Sequence, residues 1–217
     1  MDSEITIVSG LPRSGTSLMM QMLDYGGMEV VTDNIRTADT DNPRGYYEYE
    51  IVKKIKQDVS WLLATRGKAF KMISQLLYDL PPTERYRIIF MERDMDETVR
   101  SQEKMLERLG KKGAPSDQIK RAYAIHLDSL KDWLSKQKNI EVLYVSYNDL
   151  VAQPQEQAER ISGFLDGKAS ANEMVRAVDP ALYRNRKVFG KEENQDDRVA
   201  ATKTLSNMQD SKLEPGH

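Results

Sequence analysis

The chain has 217 residues, no cysteine and two histidines, and its 32 Lys and Arg against 34 Asp and Glu give a net charge of -2. This length suits one domain with a sizeable core, and the missing cysteines exclude disulfides and thiolate metal sites. The charge balance gives no reason to expect nucleic acid as a partner. No apolar stretch approaches about 18 residues and no basic region precedes the first apolar run, so we expect no membrane span, no secretion signal and a cytoplasmic protein.

Strands and helices are predicted to alternate along the chain. Short apolar runs predict strands at 5–10, 28–31, 68–73, 85–94 and 140–147. Periodic apolar positions predict helices from the first loop to Gly26, at 48–67, at 96–109, from an N-cap at Ser116 to Gln137, at 155–166 and at 170–178. This order predicts an α/β domain over 1–190 with a three-layer parallel sheet of about four or five strands, helices on both faces and the topology of phosphate-loop nucleoside triphosphatases, followed by a polar tail at 191–217.

The segment "SGLPRSGTSL" (Ser9–Leu18) follows the first predicted strand and has the pattern of a phosphate-binding loop. Gly10 and Gly15 have the spacing of the Walker A motif, but Thr16 stands where that motif has Lys. Ligands of such folds bind outside the carboxyl ends of the strands, which is where this loop lies. A glycine turn with a Ser/Thr cap is the alternative interpretation.

The loop offers the donors that an anion needs. Backbone N–H groups at a helix N-terminus favour an anion, and Ser14, Thr16 and Ser17 add hydroxyl groups. Without the Walker lysine the case for triphosphate chemistry with Mg²⁺ is weaker. Arg13 is the cation of the loop, and its forked guanidinium suits a donor with less charge and no metal.

The stretch "GLPRSGTS" resembles the 5′-phosphosulfate loop of the sulfotransferase family. That family transfers a sulfuryl group from 3′-phosphoadenosine-5′-phosphosulfate (PAPS) and releases 3′-phosphoadenosine 5′-phosphate (PAP). Its loop carries Lys or Arg at the position of Arg13, followed by Ser-Gly-Thr. The resemblance implies that the 5′-phosphosulfate is bound by Arg13, Ser14, Gly15, Thr16 and Ser17, and that Arg13 also stabilises charge on the transferring group.

The same resemblance implies a site for the 3′-phosphate of PAPS. The family binds this phosphate with an Arg at the end of a later strand and a Ser eight residues further on. Here "FMERDMDETVRS" supplies Arg93 at the end of a predicted strand and Ser101 eight residues later. A strand-end Arg by itself is more often a solvated cation.

Two later segments resemble the family more loosely. The stretch from Val142 to Asp166 is similar to a strand and helix of the family, with Asn148 in place of the usual Glu, although a core strand and its packing helix explain it equally well. The basic stretch "YRNRKVFGK" is similar to a late basic motif, which makes Arg184, Arg186 and Lys187 candidate 3′-phosphate contacts. A solvated basic stretch is the alternative there.

Sulfuryl transfer to a hydroxyl needs a base that removes the acceptor proton. The resemblance is closer to bacterial and tyrosylprotein-type members than to the cytosolic animal enzymes. The tyrosylprotein-type enzymes use a Glu, whereas the cytosolic animal enzymes use a His. The stretch "NPRGYYE" resembles one in bacterial sulfotransferase-like proteins and makes Glu48 the first candidate, with Asp41 and Asp39 next. A Glu at a helix start is also a common capping partner. We expect His126 to be a packing or surface histidine.

The sequence thus predicts a PAPS-dependent sulfotransferase that moves a sulfuryl group in line, without a metal, to a hydroxyl or amine. The acceptor is a small molecule, a carbohydrate or a peptide, and neither its identity nor the oligomeric state can be read from these residues. Two alternatives remain: a nucleotide kinase or triphosphatase with an atypical loop, and a non-catalytic protein that binds PAP or PAPS.

Overall fold

The computed structural model of the chain describes residues 4–33, 35 and 45–179. Within these ranges the strands are β1 (Glu4–Gly10), β2 (Ala69–Lys71), β3 (Arg85–Glu92) and β4 (Ile140–Ser146). The α-helices are α1 (Thr16–Tyr25), α2 (Met95–Arg108), α3 (Ser116–Ser135), α4 (Tyr147–Ala152), α5 (Pro154–Phe164) and α6 (Ala171–Val175). Three 3₁₀ helices cover Glu50–Lys54, Ser60–Thr65 and Ser74–Asp79.

The strands form one sheet in the order β2-β1-β3-β4, and every neighbouring pair is parallel. In the sheet register, Gly10 at the end of β1 lies opposite Met91 of β3, and Val8 lies opposite Lys71 at the end of β2. Because all strands run the same way, the segments that follow β1, β2, β3 and β4 meet at one edge of the sheet. The predicted α/β fold with a parallel sheet is confirmed, with four strands in the described residues.

Helices cover both faces of the sheet. One face packs α1, α4, α5 and α6 against strand residues that include Val8, Ile89 and Val145. The other face packs α3 and the three 3₁₀ helices against residues that include Ile7 and Phe70. Side chains alternate between faces along a strand, so the near-continuous apolar run of β1 is buried on both sides. Each fully buried aliphatic side chain contributes about 1.5–3 kcal/mol, and this holds the loop after β1 on a rigid support.

The predicted helix at 48–67 is wrong. The structure has two short 3₁₀ helices there, Glu50–Lys54 and Ser60–Thr65. Asp58 interrupts the helix because its side chain accepts a hydrogen bond from Ser60 N, 2.9 Å away, and its carbonyl oxygen accepts one from Trp61 Nε1, also at 2.9 Å. Such local bonds compete with the helical pattern. Val59, an apolar residue of this segment, is 42% exposed.

The structure differs from the predicted elements in three smaller ways. The strand predicted at 28–31 is reduced to one parallel bridge between Val30 and Ala69. Ser116 is the first residue of α3 and does not cap it, because its hydroxyl donates to the Glu103 carboxylate on α2 instead. Helix α4 was not predicted, and the Ser146 side chain caps its start. The tail predicted at 191–217 lies outside the described residues.

No helix in the described part of the chain has both the length and the hydropathy needed to cross a bilayer.

Arg87 of β3 ties the amino end of the sheet to the segment after α5. Its Nε lies 2.9 Å from Glu4 Oε2 and 3.8 Å from Glu141 Oε2. Its Nη1 lies 2.7 Å from Asp166 Oδ2 and donates to the Phe164 carbonyl oxygen at 2.6 Å. The Arg87 side chain is only 13% exposed, so water does not replace these contacts easily.

We predict that Arg87→Met lowers the free energy of unfolding by about 3 kcal/mol, because it removes the closest cation from the partly buried Glu4 carboxylate and the hydrogen bond to the Phe164 carbonyl oxygen. Arg85→Met is the matched control, since Arg85 lies on the same strand and contacts the same Glu4 at 3.6 Å but is 68% exposed. Arg85→Met should lower the free energy of unfolding by less than about 1 kcal/mol. Urea denaturation of both variants measures the difference, and equal losses would show that Arg87 has no special structural role.

Candidate active site

The loop between β1 and α1 adopts a backbone that only glycine accommodates at two positions. Gly10 has φ of 153° and Gly15 has φ of 102°. A Cβ on Gly10 would lie 2.5 Å from Ser14 Oγ, and a Cβ on Gly15 would lie 2.4 Å from a ring carbon of Tyr147. The Walker-like glycine spacing therefore has two physical causes, the left-handed backbone and the lack of space for a side chain.

The end of this loop fits an anionic group. Helix α1 begins at Thr16 with Gly15 as N-cap, and neither a side-chain cap nor an acidic residue is present in its first turn. The first N–H groups of a helix have no intrahelical partner, and the helix dipole favours negative charge there. Ser14 is 2% exposed and its Oγ has no hydrogen-bond partner among the described residues. An unsatisfied buried hydroxyl costs about 1–3 kcal/mol, so a ligand that accepts hydrogen bonds would stabilise this loop.

The structure brings the loop cation together with the two residues predicted to bind a 3′-phosphate. Arg13 Nε donates to Ser101 Oγ at 3.1 Å. Arg93 Nη1 donates to the carbonyl oxygen of Arg13 at 3.3 Å. Ser101 lies on α2 and is 3% exposed, and Arg93 directly follows β3. Three polar side chains from separate segments thus form one connected set at the carboxyl edge of the sheet.

Arg93 is held by Glu97 of α2 and by residues of the loosely matching segment after β4. The Tyr147 ring lies 4.5 Å from Arg93 Cζ. Arg93 Nε donates to Glu97 Oε2 at 3.1 Å, and Asn148 Nδ2 donates to the same oxygen at 3.3 Å. Asn148 Oδ1 also accepts from Asp94 N at 3.4 Å. This segment therefore contacts the candidate site in addition to packing in the core.

Lys71 is a candidate site residue that the sequence did not reveal. It ends β2 with a side chain that is 13% exposed, and its Nζ donates to Ser17 Oγ at 3.4 Å and to the Tyr46 carbonyl oxygen. Ser17 Oγ itself donates to the Tyr46 carbonyl oxygen at 3.3 Å. The only hint in the sequence is a Lys inside the apolar run "AFKMI". Its ammonium reaches the first turn of α1, which gives the site a second cation close to the loop.

Glu48 lies beside this second cation, with its Oε1 3.9 Å from Lys71 Nζ. Its carbonyl oxygen accepts from Asp33 N at 3.1 Å and from Thr32 Oγ1 at 3.0 Å. The preceding Tyr47 has φ of 52°, which is uncommon for a bulky residue. Tyr47 is anchored by its hydroxyl, which donates to Asp24 Oδ2 at 3.0 Å, and burial together with this contact raises the pKa of Tyr47 to about 12. The first base candidate is thus placed next to the loop by fixed backbone contacts.

His126 is placed elsewhere in the structure. Its Nε2 lies 2.9 Å from the buried Ser74 Oγ, and its ring centroid is 6.2 Å from that of Tyr78. Burial lowers the pKa of His126. These contacts agree with a packing histidine. The other predicted site residues, Asp39, Asp41, Arg184 and Arg186, lie outside the described residues, as does Lys187.

A comparison with protein families decides the assignment. Residues 3–212 match the family described as the sulfotransferase domain. The chain belongs to the sulfotransferase domain family. Members of this family are PAPS-dependent enzymes, so the resemblance carried by the loop is confirmed at the level of the family.

Solved structures give weaker likenesses to this sulfotransferase. A sulfotransferase domain from the curacin biosynthetic pathway has a TM-score of 0.48 and 12% identity, covering 93% of this chain and 97% of the other. A sulfotransferase from Alicyclobacillus acidocaldarius has a TM-score of 0.44 and 13% identity, with 94% and 92% covered. A sugar kinase from Janibacter sp. HTCC2649 has a TM-score of 0.37 and 14% identity, with 84% and 98% covered. No curated protein matches the sulfotransferase.

Among residues 4–33, 35 and 45–179, no three His, Asp or Glu side chains of the sulfotransferase are grouped so that they could hold a metal ion.

We predict that Gly15→Ala destabilises the sulfotransferase more than Gly27→Ala does. Both glycines have positive φ, 102° and 88°, but only the Cβ of the first meets an obstacle, the Tyr147 ring. Gly27→Ala should cost about 1–2 kcal/mol of backbone strain. Gly15→Ala should cost about 1–3 kcal/mol more through overpacking, and should also weaken nucleotide binding. Thermal and urea unfolding of the two variants tests this, and equal costs would mean that the contact with Tyr147 does not constrain the loop.

Proposed function

We propose that this sulfotransferase transfers a sulfuryl group from PAPS to a hydroxyl or amine of its acceptor, in line and without a metal. The observation that supports this proposal best is the connected set of Arg13, Arg93 and Ser101 beside the N-terminus of α1. A donor with phosphates on both its 3′ and 5′ positions needs two anion sites that lie close together. A helix N-terminus suits one phosphate, and an Arg with a neighbouring Ser suits the other.

Each segment then has a distinct task in donor binding. Residues 14–17 and the first N–H groups of α1 bind the 5′-phosphosulfate, with hydroxyl groups from Ser14, Thr16 and Ser17. Arg93 and Ser101 bind the 3′-phosphate. Their burial supports this task, because charge-assisted hydrogen bonds are stronger where water is excluded. Arg184 and Arg186 remain predicted contacts of the same phosphate.

Two cations stabilise the charge that develops during transfer. Arg13 is part of the loop itself, and Lys71 reaches the loop from β2. The Lys71 ammonium contacts Ser17 in the first turn of α1, so it adds positive charge to a loop that lacks the Walker lysine. Cations that are fixed in place before the reaction act without a reorganisation cost, and such preorganised charge is commonly the largest contribution to catalysis.

Glu48 is the proposed general base. PAPS supplies a sulfuryl group on a phosphate leaving group, so the acceptor oxygen or nitrogen gains a bond to sulfur, the bond from sulfur to the 5′-phosphate oxygen breaks, and the acceptor proton passes to the Glu48 carboxylate. The Glu48 side chain is 25% exposed and lies 3.9 Å from Lys71, so it is both accessible and close to a fixed cation. General bases need to be within hydrogen-bond reach of the proton they remove.

The acceptor is proposed to be a small molecule, a carbohydrate or a peptide. The two alternative functions differ in the nucleotide that the protein would bind or use. A kinase or triphosphatase would require ATP with Mg²⁺. A non-catalytic protein would bind PAP but transfer nothing.

We predict that the protein binds PAP at least about tenfold more tightly than adenosine 5′-phosphate, because hydrogen bonds to a charged group contribute about 1.5–3 kcal/mol each. Arg93→Ala should remove this preference and leave the affinity for adenosine 5′-phosphate nearly unchanged. Arg85→Ala, at the opposite end of β3, is the matched control. Isothermal titration calorimetry with PAP, adenosine 5′-phosphate and ATP with Mg²⁺ measures all three affinities. Equal binding of the nucleotides, or a preference for ATP with Mg²⁺, would contradict the proposed donor.

We predict that Glu48→Gln lowers kcat by a factor of about 10² to 10⁴, the usual contribution of a general base, without changing the affinity for PAP. The measurement is transfer of labelled sulfuryl groups from PAPS to an acceptor found by screening hydroxyl and amine compounds. Glu50→Gln is the control, because Glu50 lies two residues away and pairs with the exposed Lys53. A Glu48→Gln variant with normal kcat would shift the role of base to Asp39 or Asp41.

A further inference from the structure

The proposed 3′-phosphate site contains a buried carboxylate, Glu97. Its side chain is 2% exposed, and that of its partner Arg93 is 8% exposed. A buried carboxylate repels a phosphate and is costly to remove from water. Its presence directly beside the cation that is proposed to bind a phosphate therefore needs a physical reason.

The position of Glu97 is fixed on both its backbone and its side chain. Asp94 caps α2, and its Oδ1 accepts from Asp96 N at 2.9 Å and from Glu97 N at 3.1 Å. On the side chain, a single oxygen, Oε2, accepts from both Arg93 Nε and Asn148 Nδ2. Glu97 is thus a rigid acceptor placed at the Nε edge of the Arg93 guanidinium.

Three contacts together define the orientation of that guanidinium. Glu97 accepts from its Nε, the Arg13 carbonyl oxygen accepts from its Nη1 at 3.3 Å, and the Tyr147 ring at 4.5 Å lies against its face. A guanidinium is planar and carries five N–H donors in a fixed fork. Once one edge and the plane are fixed, the direction of the other donors is fixed as well.

We infer that Glu97 is a positioning residue for 3′-phosphate recognition, which acts by holding Arg93 Nε so that the remaining guanidinium donors are directed before the nucleotide binds. This inference rests on the proposed use of PAPS as donor. Arg side chains lose much conformational freedom when they bind a ligand, and a guanidinium that is already ordered loses less.

The direction in which the affinity for the 3′-phosphate changes after removal of Glu97 distinguishes a positioning role from a simple charge effect. Removing a negative charge near a phosphate strengthens phosphate binding if nothing else changes. Loss of affinity for the 3′-phosphate after removal of Glu97 therefore identifies lost positioning of Arg93. Glu97→Gln keeps an amide oxygen that can accept both hydrogen bonds at the position of Oε2, so it removes the charge while keeping the geometry.

The experiment measures the ratio of the affinities for PAP and adenosine 5′-phosphate by calorimetry in Glu97→Ala, Glu97→Gln and Arg93→Ala/Glu97→Ala. We expect Glu97→Ala to reduce the preference for PAP by a factor of about 10 or more, which corresponds to the loss of one hydrogen bond to a charged group. Glu97→Gln should keep the preference at or above that of the wild type, and the double variant should be no worse than Arg93→Ala alone. Glu103→Ala, on the same helix, is the matched control and should leave the ratio of the two affinities unchanged.

A preference for PAP that is unchanged or increased in Glu97→Ala would overturn the inference, because Glu97 would then act only through its charge or only on stability. If Glu97→Ala does not fold, Glu97→Asp keeps the charge but withdraws the acceptor by one methylene group, and the same loss of preference is expected. An unchanged preference in Glu97→Asp would also overturn the inference. A wild type without any preference for PAP would instead contradict the proposed donor, so the two failures can be told apart.

Discussion

The contact of the Tyr147 ring with two partners is the constraint on which the rest of the site depends. One partner is Gly15, where the ring leaves no space for a side chain, and the other is the guanidinium of Arg93. The ring comes from the segment after β4, the glycine from the loop after β1 and the Arg from the end of β3. Because three strand ends meet on one ring, the conformation of the loop and the position of Arg93 are set together.

Two of the cations in the site lie against carboxylates. Arg93 lies against Glu97, and Lys71 lies against Glu48. Pairing of this kind allows cations to be held in a site that is shielded from water, since an unpaired buried charge is strongly destabilising. The two pairs differ in exposure, because the Glu97 side chain is 2% exposed while that of Glu48 is 25% exposed. This difference agrees with a positioning role for Glu97 and a role in proton transfer for Glu48.

The fold class and the phosphate-binding loop could be predicted because their signals are local. A β-branched run, two glycines with fixed spacing and an apolar helix all lie between Ile5 and Leu23. Lys71 and Tyr147 could not be assigned in this way, because their roles depend on which strands are neighbours in the sheet. The order β2-β1-β3-β4 brings residues together that are far apart in the sequence. The helix predicted at 48–67 failed for a local reason, the hydrogen bonds that Asp58 makes with the following residues.

The most direct test of the account is a crystal structure of the protein with PAP bound. The account predicts that the 5′-phosphate lies at the N-terminus of α1 with hydrogen bonds from the loop N–H groups, and that the 3′-phosphate is bound by Arg93 and Ser101. Arg93 should keep its contact with Glu97 in the complex. A nucleotide bound in the opposite orientation, or with its 3′-phosphate away from Arg93 and Ser101, would contradict the central claim that this pair recognises the donor.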